Sequence, residues 1–195
     1  MSTALREEIC RVARSLYERG YVHATAGNIS VRLDDGTYLI TPTDACLGTL
    51  QPQRLAHVDA NGEQRSGDRA SKTLVLHRRI YGAAPAARCV IHTHSTHLVA
   101  ASLQAAAGSD ELLPPITPYF VMKVGHVPLI HYHPPGDERV AELVASRIAT
   151  MAARGTPIHA VMLQRLGPNV WHRSPAEASV VLEELEETAR LWLLC

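Results

Sequence analysis

The run Arg88-Cys-Val-Ile-His-Thr93 constrains the fold more than any other stretch. Its apolar residues Cys89, Val90 and Ile91 are consecutive, the pattern of a buried strand that needs cover on both faces. The rest of the chain supplies helices for that cover. Leu5, Ile9, Val12, Ala13 and Leu16 recur at helical spacing over residues 4–19, and Gly20 is the stop. Ser71 to about Tyr81, Ser95 to Leu103 and Asp137 to Met151 also read as helices. The last carries Val140, Leu143, Val144, Ile148 and Met151 on one face. Ser174-Pro-Ala-Glu177 opens a final helix with a serine cap, a proline in the first turn and a glutamate three residues on.

Strands fall between these helices. Asn28–Leu33 and Tyr38–Thr41, joined by Asp34-Asp-Gly-Thr37, predict a hairpin. Ala56–Asp59, Val127–His131, Ile158–Gln164 and Asn169–His172 are further strands, the last two placed around Gly167-Pro168. Residues 104–118, with Pro114, Pro115 and Pro118, read as loop. No repeat, low-complexity tract or linker interrupts this order. The chain of 195 residues, 46% hydrophobic, is expected to form one α/β domain over residues 1–195, with helices packed on a mixed sheet.

Charge excludes some functions. Nineteen basic residues balance nineteen acidic ones, and the arginines are scattered rather than clustered. Neither nucleic acid nor an anionic membrane surface is an expected partner. No stretch approaches a membrane span, and no apolar run follows a charged start in Met1-Ser-Thr-Ala-Leu-Arg. A cytoplasmic location is expected. Cys10, Cys46, Cys89 and Cys195 lack CxxC spacing and read as free thiols.

Histidine is the compositional oddity, with 11 residues. In Ile91-His-Thr-His94 two imidazoles stand two residues apart in extended chain, on the same side, where both can reach one ion. An HxH pair is a weak signal on its own, and a strand carrying two partly buried imidazoles is the plain alternative. Neighbouring motifs add to it. Thr25-Ala-Gly-Asn-Ile-Ser30 puts a glycine and small polar residues at a loop-to-strand junction, where backbone N–H groups can hold phosphate oxygens. Thr41-Pro-Thr43 and Ser71-Lys72 add hydroxyls and a cation near an expected helix start. Taken singly, each of these fits a turn or cap; together they suggest an anion pocket facing a metal pair. His97, by itself, reads as structural.

The order AGNIS, TPT, a Ser-Lys helix start, HTH and a late Gly-Pro turn resembles the class II aldolase and adducin superfamily, over residues 5 to 194. The branch it is most similar to is the 3-oxo-tetronate 4-phosphate decarboxylases. The segments that carry this are Thr41-Pro-Thr-Asp-Ala-Cys-Leu-Gly48, Pro52-Gln-Arg-Leu55, Ser66-Gly-Asp68, His92-Thr-His-Ser-Thr96, Thr117-Pro-Tyr119, Pro135-Gly-Asp137 and Glu183-Glu-Leu-Glu-Glu-Thr188. The resemblance implies an α/β/α layered fold with a mainly antiparallel sheet. It implies zinc (Zn2+) on His92 and His94, and CO2 lost from a phosphorylated sugar acid to leave an enediolate that the metal stabilises. Thr25, Gly27, Asn28, Thr43 and Ser71 would bind phosphate, and Lys72 a carboxylate. Tyr119 would reach a neighbouring subunit's site in a homotetramer.

Four departures from the family pattern stand out. Thr73 occupies the slot of the usual acid/base glutamate and has no carboxylate to titrate. Leu166, in Gln164-Arg-Leu-Gly-Pro168, fills the slot of the third histidine ligand, with Arg165 beside it. Asp44 replaces a glycine. The sequence ends at Cys195, where many relatives carry a further tail. His126, His131, His133 and His172 are candidate replacement ligands. Three functions therefore stay open: a metal-dependent decarboxylase, a non-catalytic relative that keeps the fold, and a sugar-phosphate aldolase or epimerase.

Overall fold

The computed structural model describes residues 3–106 and 108–195. Met1 and Ser2, where the N-terminal reading began, and Ala107, inside the loop expected over 104–118, lie outside the described residues. In chain order the elements are α1 (Thr3–Glu18), β1 (Asn28–Arg32), β2 (Tyr38–Ile40), β3 (Ala56–Val58), β4 (Gln64–Ser66), α2 (Leu74–Ala83), β5 (Cys89–His92), α3 (Thr96–Gln104), α4 (Pro118–Lys123), β6 (Leu129–Ile130), α5 (Arg139–Ala153), β7 (Ala160–Leu163), β8 (Gly167–His172) and α6 (Pro175–Leu194).

All eight strands form one sheet in the order β4-β3-β2-β1-β5-β8-β7-β6. Every pairing is antiparallel except β6 with β7, so the expected mixed, mainly antiparallel sheet is present. The buried strand read at Cys89–Ile91 is β5, at the sheet's centre, and both its faces are covered. Ile29, Ile91 and Val170 pack with Ile9, Leu16, Leu98, Leu182 and Leu185 of α1, α3 and α6. Val90, Val161 and Trp171 pack with Ile80, Tyr81, Val144 and Ile148 of α2 and α5. These are the three layers of an α/β/α fold.

The start of the final helix forms as expected. The Ser174 hydroxyl accepts the Glu177 backbone N–H at 3.1 Å, and Pro175 holds the first helical position. The Glu177 carboxylate turns instead to His172 Nδ1, 2.7 Å away, and to Arg173.

Other expectations need correction. The helix expected from Ser71 begins at Leu74, because Ser71 and Lys72 form a turn in which the Leu74 N–H reaches the Ser71 carbonyl at 3.2 Å. The loop expected up to Pro118 ends one residue earlier. Thr117 caps α4 by accepting the Phe120 N–H at 3.0 Å, and Pro118 is its first residue, where a missing N–H costs nothing. Leu143 faces outward on α5, and Ala141 is buried there instead. No helix of the described residues is long and apolar enough to cross a membrane.

Candidate functional site

Sheet register builds the site. Asn28 of β1 and Asn169 of β8 flank His92 of β5 as direct partners on either side. Paired residues share a face, so the three side chains form one row on the side covered by α2 and α5. All three are buried, and so is His77, which reaches the same face from α2. The His77 Nδ1 sits 2.8 Å from the Ser30 hydroxyl, which in turn meets the Tyr81 hydroxyl at 2.8 Å. Beyond these bonds the row is unsatisfied. Asn28 Oδ1, His77 Nε2 and both polar atoms of the Asn169 side chain have no hydrogen-bond partner. A buried polar group without a partner costs about 1–3 kcal/mol, so four together beside His92 could pair with a polar guest or with water.

His92 is oriented by its backbone surroundings. Its Nδ1 donates to the Pro168 carbonyl at 2.9 Å, which leaves the Nε2 lone pair free. That arrangement is the one a metal-binding imidazole uses. Burial first, and His94 second, push its pKa down to about 4, so the ring is neutral at pH 7. His94 lies just beyond the strand and is exposed; partial burial and then His23 lower its pKa. The two ring centres are 5.1 Å apart with planes at 70°.

Two glycines let other chain segments close on this point. Gly27 has φ +83, and a Cβ there would meet the His92 carbonyl oxygen at 2.9 Å. Gly167 has φ +138, and a Cβ would lie 1.9 Å from the Thr93 carbonyl oxygen. Ser95 Oγ donates to the Tyr21 carbonyl at 3.2 Å and so pins the loop that leads to Gly27. On the other side of β1, the Thr41 hydroxyl accepts the Ile29 N–H at 3.1 Å, and the Ser71 N–H reaches the Thr41 carbonyl at 3.3 Å. The backbone thus brings Gly27, Asn28, Thr41 and Ser71 around one end of β1, the end that pairs with His92. Thr25 and Lys72 are exposed, and Thr43 is half-buried.

The departing residues have definite positions. The Thr73 hydroxyl pairs with Ser71 Oγ at 2.7 Å. Leu166, at the position where the resemblance led to the expectation of a third ligand, is partly buried and packs against the α2/α5 core. Arg165 lies over the Tyr132 ring, 5.1 Å from its centre. Asp44 and Arg165 both adopt left-handed backbone, φ 55 and 69, a region that aspartate enters more readily than arginine. Tyr119 stands on the outer face of α4, exposed.

The candidate replacement ligands do not fill the third corner. His126, His133 and His172 sit against Glu111, Asp137 and Glu177 at 3.3, 3.0 and 2.7 Å. His172 is moreover paired with Cys89, at the far end of β5 from His92. His131 is exposed, and no ring contact joins it to the pair. Among the described residues no three of His, Cys, Asp and Glu converge on one point. His97 is structural, as expected: its Nδ1 and backbone N–H, with the Leu98 N–H, all meet the buried Glu186 carboxylate.

The sequence alone passed over three site residues. Asn169 hid in an apolar strand and His77 in an amphipathic helix. His23, exposed in the loop before Thr25, has its ring 6.5 Å from that of His94. Two sizeable cavities lie elsewhere: one of ≈ 440 Å³ around Trp171 and His172, the other of ≈ 690 Å³ between Phe120 and Trp192.

The chain is similar to known proteins over nearly its whole length. A family described as the class II aldolase and adducin N-terminal domain matches residues 7–193. A Cupriavidus necator protein named 3-oxo-tetronate 4-phosphate decarboxylase is 58% identical over 189 residues, 97% of this chain and 83% of that protein. The Escherichia coli K12 protein of the same name is 45% identical, over 96% of this chain and 85% of its own. The crystal structure of YgbL from Escherichia coli superposes with a TM-score of 0.88 at 43% identity, covering 98% of this chain and 89% of that one. L-fuculose-1-phosphate aldolase from Thermus thermophilus follows at 0.81 and 27%, covering 97% and 93%.

Proposed function

The chain belongs to the class II aldolase and adducin family, and from that premise we propose that it is a metal-dependent carbon–carbon lyase releasing CO2 from a 3-oxo-tetronate 4-phosphate. The observation that carries this is the His92–His94 pair beside an unsatisfied polar row, with the ring centres 5.1 Å apart and the His92 ring neutral. Two imidazoles on one tetrahedral zinc, with Zn–N of about 2.0–2.1 Å, have ring centres about 5 Å apart. The pair therefore fits two corners of a zinc site. The relatives' names supply the substrate class and favour decarboxylation over aldol cleavage.

Zinc, when bound, supplies a Lewis acid for charge that develops on the substrate's oxygens. The chain's residues do the rest. Thr25, Gly27, Asn28, Thr43 and Ser71 hold the phosphate, and Lys72 orients the carboxylate that leaves. The bond from that carboxylate to its neighbouring carbon breaks, its electron pair stays on the carbon beside the ketone, and a proton adds there. Thr73 has no carboxylate to deliver that proton, so water or Tyr119 of a partner subunit delivers it. Exposed Tyr119, Val121 and Met122 on α4, with Trp192 across the cavity lined by Val121, offer an apolar surface for a homotetramer. A cytoplasmic location fits this reading.

The Thr73 hydroxyl engaged with Ser71, and Leu166 packed into the core, favour a second reading in which fold and ligand binding persist without turnover. Metal analysis together with assays on two substrates separates the readings. A decarboxylase holds zinc and releases CO2 from 3-oxo-tetronate 4-phosphate without cleaving fuculose 1-phosphate. Zinc-loaded protein inert on both supports the non-catalytic reading.

A further inference from the structure

His92, His94 and His23 stand in succession at the edge of the site. The first pair has the spacing that a shared tetrahedral ion requires, 5.1 Å between ring centres. The second, at 6.5 Å, is little more than an ångström too wide. The backbone under His23 is fixed: Tyr21 is held by Ser95, Gly27 lies against the His92 carbonyl, and the Ala26 N–H closes a turn on the His23 carbonyl at 2.9 Å. The His23 side chain is exposed and carries no hydrogen bond among the described residues. An exposed side chain changes rotamer readily, and one such change moves an imidazole by more than the shortfall. The other exposed or half-exposed histidines lack this freedom or this place. His97, His126, His133 and His172 are each engaged by a carboxylate.

We propose that His23 swings onto the ion held by His92 and His94 and serves as the third protein ligand, in place of the corner that Leu166 leaves without a donor. Asn28 and Asn169, whose buried polar atoms have no partner within the protein, flank His92 in the same row. The inference rests on the metal-dependent function proposed above.

The test strips the full-length protein with a chelator and titrates Zn2+ into wild type, His23→Ala and His94→Ala by competition with a chromophoric chelator. X-ray absorption on the zinc-loaded forms counts the imidazoles. Wild type is expected to hold one zinc per chain with three imidazoles. His23→Ala should lose more than the roughly 10–100-fold that removal of an outer-shell partner costs, and show two imidazoles. Its metal-free melting temperature should match wild type, which excludes misfolding as the cause. Wild-type zinc affinity with an unchanged imidazole count in His23→Ala overturns the proposal. A raised KM for the phosphorylated substrate at unaltered zinc affinity also overturns it, making His23 a substrate contact; the lyase reading would stand in both cases. Failure of wild type to bind zinc overturns the inference and the metal dependence together.

Discussion

His92 donates its Nδ1 proton to the Pro168 carbonyl across 2.9 Å, and that bond ties the imidazole at the end of β5 to the start of β8 while leaving Nε2 free. The contact exists because Gly167 lets the turn approach β5 more closely than any side chain allows. Gly167→Ala puts a methyl 1.9 Å from the Thr93 carbonyl oxygen at φ +138. We expect a loss of about 3 kcal/mol or more in chemical denaturation, from backbone strain plus the displaced strand end. Zinc affinity should fall with it.

His94 is exposed and makes no core contact, so its removal separates chemistry from folding. His94→Ala should abolish zinc binding and CO2 release. Its melting temperature in metal-free buffer should stay within about 2 °C of wild type, as for a surface change worth under about 0.5 kcal/mol. Calorimetry together with metal analysis checks both halves.

Stability of the metal-free protein should fall in mild acid. Burial, with a smaller contribution from His92, holds His77 down at about 3, and burial with His94 holds His92 at about 4, against an ordinary value of 6.5. Both rings are neutral in the fold, while the unfolded chain takes up protons as pH drops below 6.5. Their contribution is therefore complete above about pH 6.5 and drains away as pH falls toward 4 and then 3. Denaturant midpoints measured from pH 7 to 4 should decline. In His77→Gln the decline should be shallower, because one of the two protonating groups is gone.

Thr73 and Leu166 stand where the resemblance led to the expectation of a glutamate and a histidine. Leu166→His together with Thr73→Glu should tighten zinc and raise turnover, by about 10²-fold or more if a positioned general acid is what the native chain lacks. The price is stability: removing Leu166 from the α2/α5 packing should cost about 1–3 kcal/mol, read by denaturant melts.

What was legible in the sequence followed from strong local signals. The consecutive Cys89-Val90-Ile91 announced the central strand, and Ser174-Pro175 announced α6. The HxH spacing alone puts His92 and His94 side by side. What was missed lacked such signals. β4, Gln64–Ser66, is an edge strand with every residue exposed, so no apolar pattern marks it. α4 is six residues long and starts on a proline within a proline-rich stretch, which reads as loop unless Thr117 is recognised as its cap. Asn169 joins the site through its cross-strand pairing with His92 and His77 through its bond to Ser30, 47 residues away, relations that leave no local trace in the sequence. His23 sits only two residues before Thr25, but its proximity to His94 is created by the Ser95–Tyr21 tether.

The most direct measurement is CO2 release by the zinc-loaded wild-type protein from synthetic 3-oxo-tetronate 4-phosphate, run beside the same protein stripped by chelator. Saturable release that disappears on stripping and returns with added zinc is the predicted result. No release above the uncatalysed rate, with one zinc bound per chain, would contradict the proposed activity.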